Sequence, residues 1–186
     1  KKELHLDVWR NLDNSQFDLA QYVRPMPSET VSGDMAIHFE LPNGILMALI
    51  DVSGHGFEAN KLANQVHDYL QQNLNSNPIE LMTELHVLLK GTRGAAVGLL
   101  FVNTDQATAS YCGVGNIGAY RVKGEPWHPI SKDGVLGQRL PTLRVQEAAL
   151  ANGDLILMWT DGVSELAGKI FAKKNSHQSA ASLARD

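Results

Sequence analysis

Three aspartates stand at the ends of apolar runs, each within three residues of a glycine. They occur in the strings VSGD (31–34), DVSGHG (51–56) and WTDG (159–162), as Asp34, Asp51 and Asp161. A carboxylate at a buried strand end costs free energy unless a positive group meets it. If the three converge, their hard oxygen atoms select Mg²⁺ or Mn²⁺ over zinc. The sequence therefore predicts a metal-dependent hydrolase with a phosphate ester as its substrate.

A two-metal site is the chemistry that such a cluster would support. Two divalent cations about 3.5–4 Å apart can clamp a phosphoryl group and activate a water for direct attack on phosphorus. Asp51 ends the most apolar run and is the candidate ligand shared by both ions, and the backbone carbonyl of Val52 can supply a further oxygen. Asp161 lies beside Asp51 if their strands are neighbours, and Asp34 binds an ion directly or through water. The alternative is that each aspartate is only a turn residue.

Other polar and aromatic residues have simpler interpretations. His55 is a candidate proton donor to the leaving group, but we favour a helix cap or an exposed side chain. Arg93 is a candidate phosphate contact, but a solvated charge at a strand start is the simpler interpretation. Trp127 and Trp159 are expected in the core or anchoring a loop. Ser53 has no strand-elbow motif around it, which argues against a serine hydrolase.

Composition restricts the class of protein. The chain has 186 residues, which is typical of one domain spanning 1–186, and a formal net charge of −4. No dense Lys/Arg cluster is present, so nucleic acid is not an expected partner. No apolar run reaches the length of a membrane span. The single cysteine, Cys112, lies in an apolar run and is predicted to be buried in a cytoplasmic, reduced protein.

The spacing of apolar residues predicts an α+β fold rather than an alternating parallel one. Two helices are expected, one over 57–74 and one from an Asn77 cap to about Gly91. The strands fall into four groups: one or two edge strands within 1–30, a hairpin over 35–52, a meander of 95–103, 107–114 and 117–122, and a hairpin of 143–150 and 154–160 turning at Asn152-Gly153. Residues 178–186 are expected to begin a further helix.

The three aspartate motifs, with Glu165 following the last, resemble the SpoIIE-like branch of the PPM (protein phosphatase 2C-like) serine/threonine phosphatases over about 31–166. The resemblance implies a four-layer αββα sandwich of two antiparallel sheets flanked by helices, with two Mn²⁺ or Mg²⁺ ions at one end. It assigns Asp51 as the bridging ligand, the Val52 carbonyl as a ligand of the second metal and Asp161 as a ligand of the first. Asp34 belongs to the same acidic cluster.

Two further segments, TRGAA (92–96) and YCGVGN (111–116), stand where most of this branch carries an Ala-Gly-His-Asn signature. They resemble the RsbX group of stressosome phosphatases. That resemblance implies phosphoserine or phosphothreonine on STAS-domain proteins of a stressosome as the substrate, in negative feedback of stress signalling.

The end of the sequence leaves two hypotheses. The family carries its last metal-binding aspartate in a late Asp-Asp pair leading into a terminal strand, and Asp186 does not stand in that context. We therefore expect the domain to lack its C-terminal strand. The first hypothesis is a metal-dependent phosphoprotein phosphatase, and the alternative is a catalytically silent module that binds STAS domains and regulates by occupancy.

Overall fold

The computed structural model describes residues 4–13, 16–25, 27 and 29–162, together with the single positions 174, 177, 179, 180 and 182. Within these residues the chain forms two helices among its strands. In chain order the elements are β1 (Leu4–Asp13), β2 (Gln16–Arg24), β3 (Asp34–Leu41), β4 (Gly44–Val52), α1 (Gly56–Gln72), α2 (Pro78–Leu88), β5 (Ala95–Asn103), β6 (Thr108–Val114), β7 (Gly118–Lys123), β8 (Gln146–Ala149) and β9 (Leu155–Trp159).

The strands form two antiparallel sheets. One has four strands in the order β2-β1-β9-β7, and the other has five in the order β3-β4-β5-β6-β8. The predicted hairpin over 35–52 is confirmed as β3 and β4. Of the one or two edge strands expected within 1–30, β2 is confirmed at the edge of its sheet, whereas β1 is an inner strand between β2 and β9. The α+β class predicted from the spacing of apolar residues is therefore confirmed.

The five-stranded sheet is apolar on both faces, which explains the almost continuous apolar run of β4. Leu46, Ala48 and Ile50 lie in a cluster with the buried faces of the two helices. Met47 and Leu49 lie on the opposite face, in a cluster formed with side chains of the four-stranded sheet. That second cluster, between the sheets, includes Leu100, Tyr111, Ile117, Ala119, Ile156 and Met158.

The two helices pack against the outer face of the five-stranded sheet. Helix α1 buries Ala59, Leu62, Val66 and Leu70 along one side. Helix α2 begins as its sequence predicts, because the Asn77 side chain accepts hydrogen bonds from the backbone N–H groups of Ile79 and Glu80 at 3.1 and 3.4 Å. Within the described ranges, no helix combines the length and the hydropathy that a membrane span requires.

The fourth layer expected of the sandwich falls on the C-terminal part of the chain, where few residues are described. Ala180 is helical and buried in a cluster with Leu155, Leu157 and Trp159 of the four-stranded sheet. Its backbone N–H donates to the Asp18 carboxylate at 2.6 Å. Glu165, Asp186 and the helix predicted over 178–186 otherwise lie outside the described residues.

The first pair of the predicted meander is confirmed, since β5 pairs with β6. The predicted pairing of β6 with β7 and the predicted second hairpin were wrong, although their strands exist. β7 follows β6 in sequence but pairs with β9 in the other sheet, and β8 and β9 also belong to different sheets. Buried polar contacts stabilise the passage of the chain from β8 in one sheet to β9 in the other. The Arg121 guanidinium lies 3.4 Å from the Asp154 carboxylate and donates to the Ala149 carbonyl at 2.8 Å. The Asn152-Gly153 turn therefore carries the chain from one sheet to the other.

Candidate active site

The register of the β3–β4 hairpin places two of the predicted aspartates side by side. Asp34 pairs directly with Asp51 across the two strands. Two residues farther along, Ala36 and Leu49 pack in the cluster between the sheets. Because side chains alternate along a strand, Asp34 and Asp51 face the four-stranded sheet as well. Both stand at one end of the sandwich.

The third aspartate approaches from the opposing sheet. Ile156 and Met158 of β9 point into the space between the sheets, so alternation directs Thr160 inward too. The Thr160 hydroxyl donates a hydrogen bond to the Asp34 carboxylate, with Oγ1 and Oδ2 separated by 2.9 Å. Asp161 follows at once, at the exposed turn that ends β9. This hydrogen bond therefore joins the two sheets beside the aspartates.

Asp161 reaches Asp51 by a different route from the one the sequence suggested. The sequence analysis made their proximity conditional on neighbouring strands, and that condition is not met, because β4 and β9 belong to different sheets. Their ends oppose each other across the sandwich instead. An open cleft of about 540 Å³ lies between them, and its polar lining consists of Asp51, Ser53, Asn116, Asp133, Arg139 and Asp161.

The other two predicted ligands lie deeper than this lining. Asp34 is 7% exposed and stands behind Asp51. Val52, the last residue of β4, is buried with a side chain packed toward the helices. Its backbone N–H bonds to the Gly33 carbonyl at 3.4 Å. The structure thus brings Asp34, Asp51 and Asp161 to one end of the sandwich, with Val52 adjoining Asp51.

Asn116 is a site residue that the sequence analysis missed. Its side chain hydrogen-bonds to the Asp51 carboxylate, and it lies at the point where the chain crosses from β6 to β7. Gly115 makes this crossing possible with a φ of +92°, and a Cβ there would collide with Ala96. The predicted meander places Gly115-Asn116 in the turn between the strands 107–114 and 117–122, which gives no reason to expect it beside an aspartate.

The electrostatics of Asp51 reflect this crowding of carboxylates. The pKa of Asp51 is raised to about 7, mainly by burial and further by the neighbouring charges of Asp34 and Asp161. The hydrogen bond from Asn116 opposes the shift in the pKa, whereas the hydrogen bond shared with Asp34 adds to it. A shared hydrogen bond between two carboxyl groups requires that one carry a proton. A cation between them removes that requirement.

The histidine and arginine candidates do not line this cleft. His55 occupies the N-cap position of α1, but its side chain makes no capping bond. Its Nδ1 shares a hydrogen bond with Glu29 at 2.7 Å. Arg93 donates to the Ser53 carbonyl at 3.3 Å and lines a separate groove with Glu58 and Lys61. The tryptophan predictions are confirmed, because Trp159 is 5% exposed and Trp127 stacks under Arg121.

Comparison with known proteins identifies the family. The sequence model described as Stage II sporulation protein E (SpoIIE) matches residues 42–185, about three quarters of the chain. The chain belongs to the SpoIIE family. Phosphoserine phosphatase RsbX of Bacillus subtilis (strain 168) is 21% identical over 154 residues, which cover 82% of this chain and 77% of RsbX.

Solved structures show the same fold as this SpoIIE-family domain. A protein from work on the bacterial stressosome, a modular system adapted to control secondary messenger signalling, superposes with a TM-score of 0.82 at 26% identity, covering 100% of this chain and 90% of that one. RsbX in complex with magnesium gives a TM-score of 0.70 at 21% identity over 94% and 82% of the two chains. The catalytic domain of the serine/threonine phosphatase PstP with two manganese ions gives 0.59 at 12% identity over 97% and 89%.

These relationships confirm the PPM-type architecture and the predicted class of enzyme. The relatives and structural neighbours of this SpoIIE-family domain are PP2C-type serine/threonine phosphatases, which are hydrolases. Solved neighbours carry magnesium or manganese, which supports dependence on a divalent metal.

The donors of this SpoIIE-family site suit a hard cation that keeps part of its water shell. Asp34, Asp51 and Asp161 offer oxygen atoms only, as Mg²⁺ and Mn²⁺ prefer. Across the described ranges, no three His, Cys, Asp or Glu side chains are gathered tightly enough to hold an ion by themselves. Waters and a backbone carbonyl such as that of Val52 would therefore have to complete the shell, which is usual for Mg²⁺.

Thr160 gives a prediction about metal affinity. Replacing Thr160 with Val removes the hydroxyl that orients Asp34 and leaves the shape of the side chain. Because groups that orient metal ligands typically contribute 10–100-fold in affinity, we expect Mn²⁺ binding to weaken by about tenfold in calorimetric titration. Thr108→Val, at the far end of β6, is the matched control and should bind Mn²⁺ as the wild type does. Equal affinities for Thr160→Val and wild type would exclude this orienting role.

Proposed function

We propose that this chain is a metal-dependent phosphoserine/phosphothreonine protein phosphatase that acts on phosphorylated STAS-domain proteins of a stressosome. Its role would be negative feedback of stress signalling, as in the RsbX group. We further propose that residues 1–186 belong to a single phosphatase domain, that it works in the cytoplasm, and that two Mn²⁺ or Mg²⁺ ions occupy the site.

One observation carries this proposal: three aspartates from two opposing sheets gather beside a single open cleft. Asp34 and Asp51 come from adjacent strands in register, and Asp161 comes from the end of β9. Structural roles do not account for this convergence, because the charges raise the pKa of Asp51 rather than neutralise one another. A site that concentrates negative charge at an accessible cleft is suited to cations and to the anionic substrate that they attract.

The chain's own residues would divide the work at this site. Asp51 is the proposed shared ligand, with Asp161 and the Val52 carbonyl holding the two ions, and Asp34 supporting them from behind. Asn116 and Thr160 fix the orientation of Asp51 and Asp34 through their hydrogen bonds. Bound divalent ions supply polarisation of the phosphoryl group and activation of the attacking water. Because water is the nucleophile, the chain needs no nucleophilic side chain of its own.

The choice of substrate rests on the relatives. RsbX is a phosphoserine phosphatase, and a stressosome protein shares the fold over the whole of this chain at 26% identity. The cleft is open, which suits a phosphorylated side chain presented on the surface of a folded domain. A STAS-domain protein carrying phosphoserine or phosphothreonine agrees with these relatives and also presents its phosphorylated side chain on the surface of a folded domain.

A metal-dependence assay tests the proposal. We expect hydrolysis of p-nitrophenyl phosphate in Mn²⁺ or Mg²⁺ that excess chelator abolishes. We also expect a phosphorylated STAS-domain protein to release phosphate faster than phosphorylated casein does. Binding of the STAS-domain protein without turnover in either metal would contradict the phosphatase hypothesis and support the catalytically silent regulatory module. Turnover that persists in chelator would exclude the metal-dependent mechanism.

A further inference from the structure

The cleft that holds the aspartates contains one cationic side chain among its described lining. Asp51, Asp133 and Asp161 line it with negative charge, and Arg139 stands with them. Arg139 is exposed, and no ion pair within 4 Å engages its guanidinium among the described residues. A guanidinium left unpaired beside such a cleft is free to bind an incoming anion, for which its planar donors suit a phosphoryl group.

The backbone of Arg139 is fixed, although its side chain is exposed. Its N–H donates to the Val135 carbonyl at 2.9 Å, and the Val135 N–H donates to the Arg139 carbonyl at 3.1 Å. Leu136 exchanges two further backbone hydrogen bonds with Ala95 at the start of β5, at 2.9 and 3.2 Å. The segment 130–139, here called the rim loop, is thus attached to the sheet that carries Asp51.

Side chains from two other elements hold the residues next to Arg139. The Gln138 side chain donates to the Arg93 carbonyl at 2.8 Å. The Gly137 N–H donates to His86 Nδ1 of α2 at 3.0 Å. Because its neighbours are anchored in this way, the backbone of Arg139 has little freedom to move. This lowers the conformational entropy lost when the guanidinium binds a ligand.

We propose that Arg139 binds the phosphoryl group of the substrate, donating hydrogen bonds to the phosphoryl oxygens that face the rim loop. This inference rests on the proposed function. Arg93, the arginine that the sequence singled out, is unsuited to this role because it donates to the Ser53 carbonyl and lines a different groove. Lys132 belongs to the rim loop and is exposed, but it does not line the cleft.

The test compares Arg139→Ala and Arg139→Lys with the control Lys132→Ala, which removes a positive charge from the same loop. We expect Arg139→Ala to raise both KM for p-nitrophenyl phosphate and the inhibition constant of inorganic phosphate by about 10- to 50-fold, the scale of hydrogen bonds to a charged group. Arg139→Lys should recover part of this loss, since an ammonium keeps the charge but not the paired donors. Lys132→Ala should stay within about twofold of wild type.

Direct binding separates this inference from the proposed function. Inorganic phosphate is titrated calorimetrically into Mg²⁺-loaded wild type and Arg139→Ala, and Mn²⁺ is titrated into both. Weaker phosphate binding by Arg139→Ala with unweakened Mn²⁺ binding supports the inference, even if the wild type hydrolyses nothing. Equal phosphate binding by the two proteins overturns it. A loss of Mn²⁺ affinity or a lower Tm in Arg139→Ala also overturns it, because the arginine would then be structural.

Discussion

Replacement of Asp51 by Asn is expected to lower kcat for p-nitrophenyl phosphate by at least about 1,000-fold at saturating Mn²⁺. Asp51 is the aspartate that faces both Asp34 and Asp161, so its loss removes the ligand proposed to be shared by the two ions. Metal-ion catalysis contributes several kcal/mol of transition-state stabilisation, and each 1.36 kcal/mol corresponds to a factor of ten. Steady-state kinetics across a Mn²⁺ titration measures the effect.

The substitution preserves the shape of the side chain, and Asn can still accept the hydrogen bond from Asn116. The matched control is Asp105→Asn, which removes a carboxylate from the exposed turn between β5 and β6 and should change kcat by less than about twofold. If Asp51→Asn kept more than a tenth of wild-type activity at saturating Mn²⁺, the central role of Asp51 would be refuted.

The same substitution is expected to stabilise the protein in the presence of chelator, and to do so more strongly as the pH rises. Well below the ordinary aspartate pKa of 3.8, Asp51 is neutral whether the chain is folded or unfolded. As the pH rises toward 7, the unfolded chain releases this proton while the folded protein, in which the pKa of Asp51 is about 7, retains it. Unfolding is therefore favoured increasingly up to about pH 7 and by a constant amount above it. Three pKa units correspond to about 4 kcal/mol.

Urea unfolding of wild type and Asp51→Asn between about pH 4.5 and 8 measures this difference. The free energy of unfolding of the variant should exceed that of the wild type by an amount that grows with pH. Asp105→Asn corrects for the general effect of removing a negative charge. Added Mn²⁺ should narrow the difference, because it binds the folded wild type more tightly than the folded variant. A difference that stays flat across this range would show that Asp51 is not under electrostatic strain.

Local sequence patterns predicted the parts of this structure that depend on local chemistry. Alternating and continuous apolar runs located β3 and β4, and the Pro-Asn-Gly turn between them, 42–44, set the register that pairs Asp34 with Asp51. Asn77 marked the start of α2 because a cap acts over only three residues. Asp34 and Asp51 could therefore be placed together from sequence.

Pairing between distant strands was beyond those patterns. The turns at Gly115-Asn116 and Asn152-Gly153 look like hairpin turns, yet each carries the chain to the other sheet. The buried contacts of Arg121 with Asp154 and Ala149 decide the second crossing, and they join residues about 30 positions apart. For the same reason, local patterns could not place Asn116 and Arg139 at the site. Their proximity to Asp51 follows only from how the sheets stack.

The hydrogen bond between Thr160 and Asp34 has a mechanical consequence. Asp51 is carried by one layer and Asp161 by the other, so the separation of the layers sets the spacing of the carboxylates. Binding equilibria are reciprocal. An ion coordinated by residues of both layers opposes their separation, and a force that separates the layers lowers the affinity for the ion. A regulator of this domain therefore does not have to enter the cleft. Binding to the outer surface of either layer would change metal occupancy if it shifted that layer relative to the other.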